Sequence, residues 1–218
     1  AAGDILSIHC HLADRSRTVL TTPGATKFYC SQQQKSTQST DITVGAGGIC
    51  EYLPQETIVF NGARAAISTR VNLTGDARYL GWDIVCLGRP ACGERFKQGE
   101  VRQRLEIFRD QKPIFFEQFC LKGGDAASDA AFAFNAQPIL ATMVYAGAAD
   151  EDAVDRIRVA QSGHSASLFS VSRLDRVIVC RYLGGRMSEA KQLLRQAWEV
   201  LREAGLGKVA APPRIWAT

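Results

Sequence analysis

Residues 20–29, LTTPGATKFY, and residues 51–56, EYLPQE, decide how this chain is read. Each ends a run of alternating apolar residues in a turn rich in glycine or proline, which is how β-structure is punctuated. Neither places a nucleophile beside a base, a phosphate-cradling glycine loop or a compact set of metal ligands. They read as structural corners of a β-protein.

Working outward, residues 6–12 alternate: Leu6, Ile8, Cys10 and Leu12 take one face, and Ser7, His9 and His11 the other. A turn at Asp14 and Arg15 returns the chain into a strand at 18–22, and 27–30 is a short extended piece. The polar stretch CSQQQKSTQST, residues 30–40, reads as an exposed, mobile loop. Further strands are expected at 42–44, 49–53, 57–60, 65–73, 79–87, 100–108, 114–121, 139–145, 167–172 and 176–182. Gly45, Gly47 and Gly48 form a bend, since no helix follows them.

Two helices are expected late in the chain. One spans 149–159, where Asp150, Glu151 and Asp152 suit the positive end of a helix dipole; the alternative for these acids is a carboxylate metal cluster. The other starts near Ser188, with Ala190, Leu193, Leu194, Ala197, Trp198 and Leu201 in one apolar stripe, Ser188 as N-cap and Gly205 just past the end. Pro212 and Pro213 forbid further helix. With no internal repeat and no composition shift, residues 1–218 read as a single, mainly-β domain. The abrupt entry into a strand from a first residue that is Ala suggests an N-terminal truncation.

Composition narrows the function. A hydrophobic fraction of 46% with 22% charged residues is that of an ordinary folded protein. A net charge of +4 without a basic block gives no footprint for nucleic acid. The apolar stretch 138–149 is shorter than the about 20 residues a membrane helix needs, so no membrane partner is expected. Nothing resembles a secretory leader, and the seven scattered cysteines read as reduced thiols of a cytoplasmic protein, mostly buried as small hydrophobes.

The sharpest local constellation is His9-Cys10-His11. On a strand the two imidazoles share a face about 6–7 Å apart, a pair able to share Ni²⁺ or Zn²⁺ but two ligands short of a closed site. Glu51, Glu56, Asp76, Asp83 and Glu94 read as acids at strand ends or turns, where oxygen ligands can pass a cation along without trapping it. His164-Ser165 are neighbours on a strand and face apart, and no GxSxG elbow, Walker A or dinucleotide fingerprint is present. A Cys–His dyad has many pairings and no favoured one.

LTTPGATKFY, EYLPQETIVFNGAR at 51–64, GWDIVCLGRPACGERF at 81–96 and the terminal PRIWAT together resemble the urease accessory protein D family (UreD, also UreH), in order and from Gly3-Asp4 almost to the C-terminus. Members of that family carry more N-terminal sequence. The resemblance implies a distorted β-helix-like stack of sheets with two helices, and a non-enzymatic chaperone for the nickel enzyme urease. It implies binding to apo-urease and to the F and G accessory proteins, the latter a GTPase, with nickel passing transiently and no cofactor tightly bound. Thr21, Thr22, Lys27 and Tyr29 match the first motif, Glu51, Pro54 and Glu56 the second, and Gly88, Arg89, Gly93 and Glu94 the third. Glu56 and Glu94 become candidates for the cation path, whereas His9 and His11 rest on their chemistry alone. Two readings from other classes stand beside this one: a stand-alone nickel or zinc carrier built on His9 and His11, and a Cys/His hydrolase on a β-scaffold.

Overall fold

The computed structural model describes residues 3–31, 34–161 and 167–217. The pair His164-Ser165 lies outside the described residues. The chain winds in coils. Strands β1 (Ile5–Leu12), β4 (Ser36–Val44), β7 (Arg64–Leu73) and β9 (Glu100–Arg109) stack in parallel, and β10 (Lys112–Lys122) closes this first sheet antiparallel to β9. In the second sheet β2 (Arg17–Leu20), β5 (Ile49–Tyr52) and β8 (Arg78–Leu87) stack in parallel, with β3 (Thr26–Phe28) and β6 (Thr57–Val59) alongside. Antiparallel strands extend it from β8 to β11 (Ile139–Ala146), β13 (Val177–Gly184) and the edge strand β12 (Leu168–Leu174). The architecture is mainly β and solenoid-like, as the resemblance implied.

Two local expectations fail. The turn at Asp14 and Arg15 makes no hairpin: β1 and β2 lie in different sheets, each paired with the next coil. Residues 36–40 are no loop; they begin β4, with Ser36 and Thr40 buried in the sandwich. Polar side chains on both faces hide the alternation there.

The two motifs that open the reading are one corner on successive coils. Leu20 pairs with Tyr52, the Thr21 hydroxyl donates to the Leu53 carbonyl at 2.7 Å, and the Gln55 N–H donates to Thr22 Oγ1 at 2.9 Å. At the next corner a ladder of aspartates joins the coils. Asp14 accepts from the Ala46 N–H (2.9 Å), Asp76 from Gly47 (2.7 Å) and Asp110 from Gly75 (2.9 Å), each satisfying a turn donor of the neighbouring coil.

The described residues form three α-helices. A four-residue α1 (Ala126–Asp129) was not foreseen, and α2 (Ala153–Ala160) and α3 (Met187–Leu206) match the two expected. The acids Asp150, Glu151 and Asp152 precede α2, with Asp150 3.8 Å from Arg156. Helix α3 starts after Arg186 and ends on left-handed Gly207 (φ 62°), so neither Ser188 nor Gly205 caps it. Gly205 serves packing instead: a Cβ there would sit 2.5 Å from the Tyr145 ring.

The apolar stripe of α3 covers the outer face of the second sheet, burying Leu193, Leu194, Ala197, Trp198 and Leu201 with Leu80, Ile84 and Met143. Trp216, from the terminal PRIWAT, stacks between Trp82 and Trp198 at 5.2 Å from each. Inside this layer lies a charge. Glu51, on β5, accepts from Trp198 Nε1 at 2.8 Å and from Arg202 Nε at 3.2 Å, with the acid 6% and the Arg 14% exposed at the side chain. Removing one partner of such a pair strands the other in low dielectric, at a cost of about 3–5 kcal/mol. Arg202→Met should therefore lower the unfolding free energy by about 3 kcal/mol in urea titrations, and the double variant Glu51→Leu/Arg202→Met should recover most of that loss.

Candidate functional site

Between the two sheets the apolar core is split. One cluster holds Val71, Leu73, Leu105, Ile107, Val144 and Val179; the other holds Ala65, Ile67, Val85, Val101 and Leu121. The layer between them is polar. In the second sheet Asp83, Thr142, Arg181 and Ser170 stand directly opposite one another across β8, β11, β13 and β12, a single row transverse to the strands. From the first sheet Thr40, Thr69, Gln103 and Glu117 face that row, and Tyr52 continues it toward β1 and β2, its hydroxyl 3.4 Å from Thr40 Oγ1.

Asp83 is the centre of the layer. Burial pushes its carboxyl up to about 6, against side-chain hydrogen bonds from Gln103 and Thr69 that favour the ionised form; the Glu117 charge adds to the rise. Burial likewise raises Tyr52 to about 12 and Tyr79 well above the ordinary phenol, both also under the Asp83 charge. These phenols are neutral at pH 7. Toward the far edge, Glu117 accepts from the Thr142 hydroxyl through Oε1 (2.5 Å) and from Arg181 through Oε2 (2.6 Å). One row along, Gln38 Oε1 is buried without a hydrogen-bond partner among the described residues.

There is room beside these groups. Asp83, Gln103 and Thr142 are half-buried, although Val71, Val101, Ile107 and Val144 around them are fully buried. At the β10–β13 side the layer opens into a cavity of about 510 Å³, lined by Gln103, Glu117, Thr142, Arg181, Phe119 and Phe169. Oxygen and amide groups thus border water-sized space there, and groups of that kind are hard ligands.

The residues singled out from sequence do not converge on this layer, Asp83 excepted. His9 and His11 share the outer, exposed face of β1, on the opposite side of the first sheet, with His9 Nδ1 3.7 Å from Asp41. Glu56 lies 2.6 Å from Lys191 on α3. Glu94 clamps a corner, 2.5 Å from Arg89 and accepting from the Asn61 N–H at 2.9 Å, and those contacts hold its carboxyl below the ordinary range. Asp76 belongs to the aspartate ladder. Glu51 and Asp83 were read as strand-end or turn residues and are neither; both lie within strands, Glu51 in the helix-covered layer and Asp83 between the sheets. Among the described residues no group of three or more His, Cys, Asp or Glu could hold a metal ion.

The matched motif residues are corner pieces. Gly88 has φ 75°, and a Cβ there would meet the Glu94 carbonyl at 2.5 Å; Gly93 has φ 73°. Pro54 offers its carbonyl to Trp82 Nε1 at 2.8 Å, Tyr29 packs edge-on against Phe60, and Lys27 is exposed on β3. All seven thiols are free; Cys50, Cys86 and Cys180 are buried, fewer than expected, and burial pushes Cys50 and Cys180 up to about 12 and Cys86 to about 11. These three are inert as nucleophiles. Thr69, Gln103, Glu117, Thr142 and Arg181 were missed entirely.

The described residues form a coiled β-framework with an internal polar layer and no convergent catalytic set. A family profile described as UreD urease accessory protein matches residues 1–217. Over 218 residues the chain is 70% identical to "Urease accessory protein UreD 2" of Brucella anthropi, covering all of this chain and 80% of that protein. It is 39% identical to "Urease accessory protein UreD" of Pseudomonas fluorescens and of Pseudomonas aeruginosa, covering all of this chain and 77% of each. The chain belongs to the UreD family of urease accessory proteins, and it is an accessory protein, not an enzyme. No helix among the described residues is long and apolar enough to cross a membrane.

The Asp83 shift has a consequence for stability. Its folded-state pKa, about 6, lies above the ordinary aspartate value of about 3.9, so the native state binds the proton more tightly. Stability is greatest below pH 4 for this group and falls as pH rises from about 4 through 6. The variant Asp83→Asn should therefore unfold at higher urea concentration than the parent at pH 7.5, by an amount of order 1–3 kcal/mol, with the gap closing at pH 4.

Proposed function

We propose that this chain serves urease maturation in the cytoplasm as a rigid, non-catalytic scaffold and chaperone. In this reading it binds apo-urease together with the F and G accessory proteins, and its interior gives nickel a passage toward the urease active site. The observation that carries it is the polar layer from Arg181 through Glu117, Thr142 and Asp83 to Tyr52, lodged between two apolar clusters. Burying carboxylates, amides and hydroxyls there costs stability that an apolar filling would not, so the layer points to a task. Nickel is cargo on this account: Asp83 and Glu117 supply charge one step at a time, and neutral Thr, Gln and Tyr oxygens bridge between them. The GTPase partner supplies the nucleotide chemistry.

The test is reconstitution of urease activation with the full-length chain and purified partners. Asp83→Asn and Glu117→Gln should each lower the nickel content and activity of the urease formed by at least tenfold, while pull-down of apo-urease and of the F and G proteins stays at the parental level. A parent chain that captures none of these partners, or variants that load nickel normally, would defeat the proposal.

A further inference from the structure

We infer that Arg181 is a resident counter-cation that gates the mouth of the polar layer, holding Glu117 closed until a divalent cation displaces it. The inference rests on the passage reading above and names how entry to that passage is controlled.

The geometry is specific. Arg181 sits on the β13 face that looks toward the first sheet, in the same transverse row as Thr142 and Asp83. Its Nε donates to Glu117 Oε2 at 2.6 Å and its Nη2 also lies 2.6 Å from that oxygen, while the Thr142 hydroxyl donates to Oε1 at 2.5 Å. Both carboxylate oxygens facing the cavity are thus occupied. Each oxygen keeps a second lone pair, but the guanidinium charge beside Oε2 repels an incoming cation, so close ligation of Glu117 calls for a donor to leave, and of the two the guanidinium is the one able to leave. Thr142 is fixed on a central strand, whereas Arg181 is 44% exposed at the side chain and borders the 510 Å³ opening. An ion pair so exposed is held only weakly, so swinging into water costs the guanidinium little.

Charge explains why a divalent ion does the displacing. The named residues of the layer carry two carboxylates, Asp83 and Glu117, and one cation, Arg181. With Arg181 in place the mouth is neutral and a monovalent ion gains nothing over the guanidinium already there. A doubly charged ion gains about twice the Coulomb attraction at the same distance. Phe119, Phe134 and Phe169 line much of the rest of the opening, with Ser170 opposite Arg181 on the edge strand, so Arg181 is the cation among the residues of this rim. Its neighbours Cys180 and Tyr182 are buried on the helix side, anchoring the backbone while the guanidinium moves.

The experiment is isothermal titration of the full-length chain with Ni²⁺ alone. Arg181→Gln should bind Ni²⁺ about threefold to fivefold more tightly than the parent, the order expected when one exposed ion pair no longer competes. Glu117→Gln and the double variant should both bind more weakly than the parent. Affinity in Arg181→Gln equal to or weaker than the parent's overturns the gate; unchanged affinity in Glu117→Gln overturns the passage itself, so the two failures are distinct. The parent chain supplies a second readout. Phenylglyoxal labelling of Arg181, followed by mass spectrometry, should quicken several-fold on adding Ni²⁺, and in Glu117→Gln it should be equally fast without metal. Labelling indifferent to Ni²⁺ in the parent counts against the gate even if the Gln variant fails to fold.

Discussion

Parallel hydrogen-bonded stacking of one coil on the next is the constraint on which everything else in this molecule rests. Each strand of β1, β4, β7 and β9 takes its register from the one before it, and β2, β5 and β8 do the same in the facing sheet. The offset from first to second coil is the same in both sheets, since Ile5 meets Thr37 and Arg17 meets Ile49. Corners hold that offset: Thr21 and Thr22 tie to the coil below, and Asp14, Asp76 and Asp110 each bond a turn N–H of a neighbouring coil. A slip of one residue would turn every side chain of a strand to the other face. Asp83 would then leave the interior and meet α3, while Trp82 would be driven between the sheets. The polar layer therefore exists only because the corners are rigid.

That rigidity also explains how a polar layer survives inside the sandwich. The two apolar clusters on either side are fully formed, so the layer need not contribute hydrophobic stabilisation; it needs only to avoid unsatisfied groups. Gln103 and Thr69 bond Asp83, Thr142 and Arg181 bond Glu117, and Tyr52 meets Thr40. The exceptions are informative. Asp83 still carries the cost of its charge, visible as a carboxyl near 6, and Gln38 Oε1 has no partner among the described residues. Residual costs of this kind mark places where structure has been shaped by something other than stability.

The sequence carried the strands, the corners and the α3 stripe, because each is written in local periodicity or turn chemistry. LTTPGATKFY and EYLPQE were legible as corners, but their stacking was not, since the coils share geometry without sharing residues. The hairpin expected at Asp14 failed for the same reason: a local turn signal does not say which sheet receives the next strand. The polar layer was hidden more thoroughly. In RQR, residues 102–104, Gln103 is the inward residue between two outward arginines, and nothing local separates it from them. Thr142 and Asp83 left the better trace, a lone polar residue within the apolar strands LATMV and GWDIV. Glu117 and Arg181 meet across 64 positions, a pairing that only the fold creates.

The residues first weighed for metal binding and the residues that line the interior differ in a way that chemistry explains. His9 and His11 are the ligands one would choose to retain a borderline cation, and a structural site holds such an ion with four converging donors. A protein that must hand its cargo on needs the reverse: donors spaced so that each contact is replaced by the next before any set closes. Asp83 and Glu117 stand on β8 and β10, in different sheets, and the groups between them are hydroxyls and an amide of no charge. Hard oxygen donors in that spacing make no closed set, so the interior lacks what retention of a cation requires, and its arrangement accords with the passage proposed above.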